Sequence, residues 1–147
     1  MEPTIRFATT SRGVQGPWSQ VGSGPVLLAP PGWVSHIGHL WDDPASRAYQ
    51  EALAEGHTLV TFDRPGTGLS DLDRTDFSME EDFTAMEAVI AAQGASRLSL
   101  LGTSQGGVLA CLLAARRPEL VEKLVLYGAF ARGLLVASAE FQSMFVA

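Results

Sequence analysis

The sequence predicts an α/β fold with a mostly parallel sheet and flanking helices, on three observations. Short apolar runs that read as buried strands alternate along the chain with helix-patterned segments. That alternation is what parallel sheets with crossover helices require. The helical segments carry their own start and stop residues. Finally, a serine sits in a glycine-bounded turn, Gly102-Thr103-Ser104-Gln105-Gly106, between one such strand and one such helix. The 147 residues suffice for one domain with a sizeable core.

Residues 4–8 alternate and predict a first, half-exposed strand. Residues 11–25 are rich in Gly, Ser, Gln and Pro; they predict a loop with a weak strand near residues 18–21. Residues 25–29 predict a buried strand, ended by Pro30-Pro31-Gly32 because proline has no ladder donor. Asp43-Pro44 predicts a helix start, with Asp as N-cap and Pro at the first helical position. This helix runs to about Glu55 and ends at Gly56. Residues 58–62 are the next buried strand, and the polar, glycine-bearing stretch 63–76 is a loop. Ser78-Met79-Glu80-Glu81 is a capping box. It opens a helix with an apolar face of Met79, Phe83, Met86, Val89 and Ile90, stopped at Gly94. Strand 97–101, helix 106–116 and strand 123–127 follow. Arg116 and Arg117 suit the negative end of that helix, and Pro118 bars its extension. From Gly128 onward the sequence is mostly small and apolar, with Phe141, Met144 and Phe145 at helical spacing.

Composition narrows the function classes. Hydrophobic residues make up 46% and charged residues 18%, ordinary for a globular domain. A net charge of -6 without a basic cluster argues against nucleic acid as a partner. The single cysteine, Cys111, cannot close an internal disulfide and reads as an inert core residue of an apolar helix. No basic-then-apolar leader and no membrane-length apolar stretch is present, so the expectation is a cytoplasmic protein that makes no membrane contact. Gly66 and Gly68 lack the Gly-Lys-Ser/Thr ending of a phosphate loop. His36, His39, Asp42 and Asp43 offer no clear third ligand beyond two loop histidines, so no metal and no cofactor is expected, and the histidines read as local caps or surface groups.

The chemistry centres on the serine turn. A strand, a sharp turn and a helix in that order match a nucleophile elbow, which presents a serine hydroxyl at the carboxyl edge of a sheet. The plainer reading is a turn serine or helix N-cap; the flanking strand and helix favour the nucleophile. In such a site one oxyanion donor is the amide after the serine, here Gln105, and the other comes from the loop after the strand preceding the first helix, here near Trp33. Gly32, Gly102 and Gly106 support these loops, Gly32 by allowing a tight turn. The Trp33 side chain reads equally as a pocket wall or as filler. Asp63-Arg64-Pro65-Gly66-Thr67-Gly68-Leu69-Ser70-Asp71 reads as a structural loop at the same sheet edge.

Taken in order, Pro30-Pro31-Gly32-Trp33, the 63–70 loop, Gly102-Thr103-Ser104-Gln105-Gly106-Gly107 and Leu124-Val125-Leu126-Tyr127-Gly128 resemble the α/β-hydrolase family over most of the chain. The Pro-Pro-Gly-Trp-Val-Ser-His stretch and the 63–71 loop further resemble hydrolase domains fused to adenylate cyclases or transcriptional regulators. The resemblance implies a Ser, acid, His triad in chain order. Ser104 would attack an ester, amide or similar carbonyl, and each oxyanion donor would contribute about 2.7–4 kcal/mol. It also implies a different class of function, a module that senses a small molecule without turning it over.

The sequence departs from that pattern after Ser104. Only Glu119, Glu122 and Glu140 are acidic there, and no histidine follows His57. His36, His39 and His57 all precede the serine. A serine without its base is a poor nucleophile near neutral pH. The expectation is therefore a hydrolase fold truncated after about the sixth strand. Residues 1–128 are the N-terminal part of the core, and 129–147 are the start of a cap or a truncated tail. The strand near 124–127 is then left with an open edge, a route to self-association.

Overall fold

The computed structural model describes residues 1–131. The elements are β1 (Thr4–Thr9), β2 (Gln15–Gly22), β3 (Val26–Ala29), α1 (Pro44–Ala54), β4 (Thr58–Phe62), α2 (Met79–Gln93), β5 (Leu98–Thr103), α3 (Gly106–Arg116) and β6 (Val121–Tyr127). Six strands form one sheet in the order β1-β2-β4-β3-β5-β6. β1 and β2 form an antiparallel hairpin, and β2 joins β4 antiparallel. β4, β3, β5 and β6 run parallel, as the alternation predicts.

That order creates a place for a ligand. The chain leaves β3 for β4 on one side, then returns past β3 to β5 on the other. The loops after β3 and β5 therefore part from one another, opening a crevice at the carboxyl ends of the strands. Both halves of the expected site, the 30–33 loop and the serine turn, leave the sheet there.

Two cores flank the sheet. The larger lies under α2 and α3 and contains Trp18, Leu28, Phe83, Met86, Leu100 and Leu109. The smaller lies under α1, with Val21, Ala54 and Leu59. α1 starts as predicted: the Asp43 carboxylate accepts the Ser46 N–H at 2.7 Å, with Pro44 in the first turn. α2 ends at Gly94, whose left-handed φ of 82° lets its N–H reach the Ile90 carbonyl.

Five expectations need correction. Residues 15–22 are a full strand, not a loop with a weak strand, and Trp18 is 1% exposed. Pro17 is tolerated because its carbonyl faces the β4 side just past the last paired residue, where it accepts from the Asp63 N–H; no ladder donor is needed there. The capping box is only half made. Ser78 accepts the Glu81 N–H, but the Glu81 carboxylate turns to Arg12 at 2.7 Å and Asp76 takes the Ser78 N–H. Cys111 is exposed, not core, because α3 buries one stripe (Gly106, Leu109, Ala110, Leu113) and Cys111 falls outside it. The other two, Trp33 and Gly32, belong to the site. Expectations for residues 132–147, including the spacing of Phe141, Met144 and Phe145, lie outside the described residues.

Among the described residues β6 pairs only with β5, and Val125, Leu126 and Tyr127 are exposed. No helix there is long and apolar enough to cross a membrane.

Candidate active site

Ser104 has φ +52° and is, among the described residues, the one non-glycine with positive φ. A left-handed residue with a Cβ is strained by about 1–2 kcal/mol and persists only where its surroundings hold it. Here the backbone holds it from both sides. The Ser104 N–H donates to the Tyr127 carbonyl at 3.0 Å, and the Ser104 carbonyl accepts the Gly107 N–H at 3.1 Å. The turn thereby lifts the side chain out of the sheet edge, and Ser104 is exposed.

The glycines of the turn answer to packing. A Cβ on Gly102 would stand 2.6 Å from Gly107 Cα and 2.9 Å from Ala110 Cβ, so β5 and α3 can approach only if that side chain is absent. A Cβ on Gly106 would press into the Pro30 carbonyl oxygen and stand 2.9 Å from that of Pro31. The start of α3 thus lies directly against the loop after β3. Gln105 is the N-cap of α3, and no acceptor for its N–H occurs among the described residues. An amide without a partner at the positive end of a helix is suited to an anionic oxygen.

The 30–37 loop is held by its far end. Ile37 is 0% exposed, and its N–H donates to Asp63 Oδ1 at 2.9 Å. Trp33 instead points outward and is 80% exposed, so its side chain neither fills space nor walls the adjoining cavity. Gly32 has no positive φ, and a Cβ there would meet nothing within 4 Å. The loop's course therefore does not depend on that glycine. A cavity of about 640 Å³ opens between this loop, α1 and the carboxyl ends of β5 and β6. Pro31, Gly32, Gln50, Thr103 and Tyr127 are among its walls, and Thr103 is the residue before the serine.

The 63–71 loop is structural, as the sequence predicts. Asp63, fully buried, accepts N–H groups from Ile37 and Leu69, each at 2.9 Å. Gly68 (φ 58°) lies so near that a Cβ would overlap the Asp63 carboxylate. Ser70 Oγ and Thr67 Oγ1 both donate to the Arg64 carbonyl.

Sequence reasoning passed over the buried charges around this loop. Arg64 pairs with Asp82, which also lies 3.0 Å from Arg74 Nη1. Asp82 is 0% exposed. A signal existed: Asp82 falls three residues after Met79 and four before Met86, on the apolar face of α2.

The histidines make local contacts. His36 Nδ1 accepts the His39 N–H at 3.2 Å, the two rings stack at 3.9 Å, and His39 Nδ1 meets Asp42 at 2.7 Å. His57 Nδ1 bonds the Glu55 carbonyl at the opposite end of the sheet. Among the described residues no histidine hydrogen-bonds Ser104, and no three potential metal ligands cluster.

Comparison with known proteins agrees with this fold. A family model described as alpha/beta hydrolase fold matches residues 25–145. A pimeloyl-(acyl-carrier protein) methyl ester esterase from Nitrosomonas europaea is 36% identical over 105 residues, covering 71% of this chain and 37% of the relative. The serine hydrolase BPHL of Mus musculus is 33% identical over 140 residues, covering 87% of this chain and 46% of the relative. The crystal structure of the esterase RhEst1 from Rhodococcus sp. ECU1013 superposes with a TM-score of 0.73 at 29% identity, covering 86% of this chain and 46% of that one. The chain spans 37% to 46% of the length of these relatives.

Proposed function

The chain belongs to the alpha/beta hydrolase family, and from that premise we propose that it carries the nucleophile of a serine hydrolase acting on an ester, amide or similar small carbonyl substrate. One observation carries the reading: Ser104 is exposed at φ +52° beside the Gln105 N–H, which has no acceptor among the described residues. The esterase and hydrolase names of the relatives support the substrate class.

In this reading Ser104 Oγ adds to the carbonyl carbon while its proton passes to an imidazole. The oxygen that becomes negative accepts N–H groups from Gln105 and Trp33, with the amino end of α3 behind them. Collapse expels the alcohol or amine with the returned proton, and water then releases the acyl group from the serine. No histidine follows His57 in these 147 residues. We assign the base and its orienting acid to the part of the relatives' length that this chain does not span. The 640 Å³ cavity beside Thr103 is suited to the substrate's acyl group.

A fluorophosphonate probe tests the reading, with free imidazole added in place of the missing base. Labelling of the wild type that rises with imidazole and disappears in Ser104→Ala is the expected result. A folded wild type that stays unlabelled at high imidazole overturns the nucleophile and favours a module that binds without turnover.

A further inference from the structure

We infer that Arg64 is a positioning residue for the proposed hydrolysis: through the Gly32 carbonyl it aims the Trp33 amide at the oxyanion. The inference rests on the serine-hydrolase reading and gives a role in it to a residue of the 63–71 loop, which the sequence reads as structural.

The Gly32 carbonyl and the Trp33 N–H belong to the same peptide unit, and the described chain has no cis bonds. In a planar trans peptide the C=O and N–H point in opposite directions, so anything that fixes one fixes the other. Arg64 Nη1 donates to the Gly32 oxygen at 3.3 Å. The Trp33 N–H must then point away from Arg64, and it has no acceptor among the described residues. Among the described residues no other contact on 32–34 sets this plane, since Gly32 has ordinary φ with open space around it and Trp33 and Val34 are exposed.

Arg64 can impose an orientation because it is itself buried and paired. It is 7% exposed, and its other terminal nitrogen is paired with the buried carboxylate of Asp82. Asp82 is anchored in turn by Arg74, whose Nη1 also donates to the Pro65 carbonyl at 2.8 Å. The planar guanidinium reaches Asp82 with one nitrogen and Gly32 with another, a span that a lysine ammonium cannot cover. A cation on the carbonyl oxygen also polarises the peptide, which makes its N–H a stronger donor. One residue earlier, Asp63 holds the far end of the same loop through Ile37. The adjacent pair at the end of β4 thus grips the loop at both ends, and only the Arg64 contact acts on the peptide that carries the Trp33 N–H.

The test combines amide NMR of the 147-residue chain with imidazole-assisted fluorophosphonate labelling. In Arg64→Met the Trp33 amide resonance shifts or broadens while that of Gln105 stays in place, and labelling slows about tenfold. Arg64→Lys keeps a cation beside Asp82 and guards against loss of the fold; unable to reach Gly32 as well, it slows labelling as Arg64→Met does. A Trp33 amide that does not move in either folded variant overturns the inference, as does one that moves with labelling unchanged. In both cases the nucleophile reading stands. A wild type that does not label overturns that reading and this inference together.

Discussion

Two glycine-bearing turns stand at the same carboxyl edge of the sheet, and they spend their polar groups in opposite ways. In the 63–71 loop most buried groups are used up, the Arg64 Nε excepted: Asp63 takes two amides, Ser70 and Thr67 close on the Arg64 carbonyl, and Gly68 makes room for the carboxylate. In the serine turn the strain sits on a residue with a side chain, and the Gln105 N–H has no acceptor among the described residues. A loop whose hydrogen bonds are satisfied is scaffolding. A strained loop that keeps donors in reserve is arranged for something that is not yet bound.

The contrast can be broken from either side. The largest effect is expected on the satisfied side. Asp82→Ala strands two buried guanidiniums, Arg64 and Arg74, and should cost about 3–5 kcal/mol in denaturant unfolding. Next comes the contact between the two site loops. Gly106→Ala pushes a methyl into the Pro30 and Pro31 carbonyls, costing about 1–3 kcal/mol and abolishing Ser104 labelling. Gly32→Ala should leave both measurements unchanged, because nothing lies within 4 Å of the added carbon.

On the strained side the sign reverses. Ser104→Gly removes the left-handed penalty and should stabilise the fold by about 1 kcal/mol in the same unfolding assay, while ending all labelling. A destabilised Ser104→Gly would show that the turn is not strained.

A smaller effect lies far from both loops. The Arg116 guanidinium hydrogen-bonds Glu80 and lowers its carboxyl below the usual value. A carboxylate with a depressed folded value stabilises above its unfolded value and loses that contribution as pH falls through the folded one. Unfolding of Glu80→Gln across a pH series should therefore differ slightly from wild type at neutral pH and match it in acid, with less difference in high salt.

Legibility followed the range of the interaction. α1, with its Asp43 cap and Pro44 start, and α3 from Gly106 to Arg116 were readable because caps and periodicity are local. The strand at 15–22 was not, because its partners lie across the sheet and a proline inside it suggests a loop. Cys111 was misread because an apolar helix does not declare which of its apolar residues faces outward. At the site, Ser104 and Gln105 were named from the strand-turn-helix context, whereas Arg64 and Asp82 lie 18 residues apart and meet only when α2 folds back on the loop after β4.

By itself the sequence determined the alternation of strands and helices, the position of the serine turn, and the need for small residues around it. Those follow from dihedral preference and periodicity, which act over a few residues. Tertiary structure decided the rest: which strands neighbour, that the loops after β3 and β5 part at one crevice, that Trp33 faces solvent, and that a buried guanidinium holds the Gly32 carbonyl. Each of these depends on groups distant in the chain meeting where water is excluded, and only the folded chain brings them there.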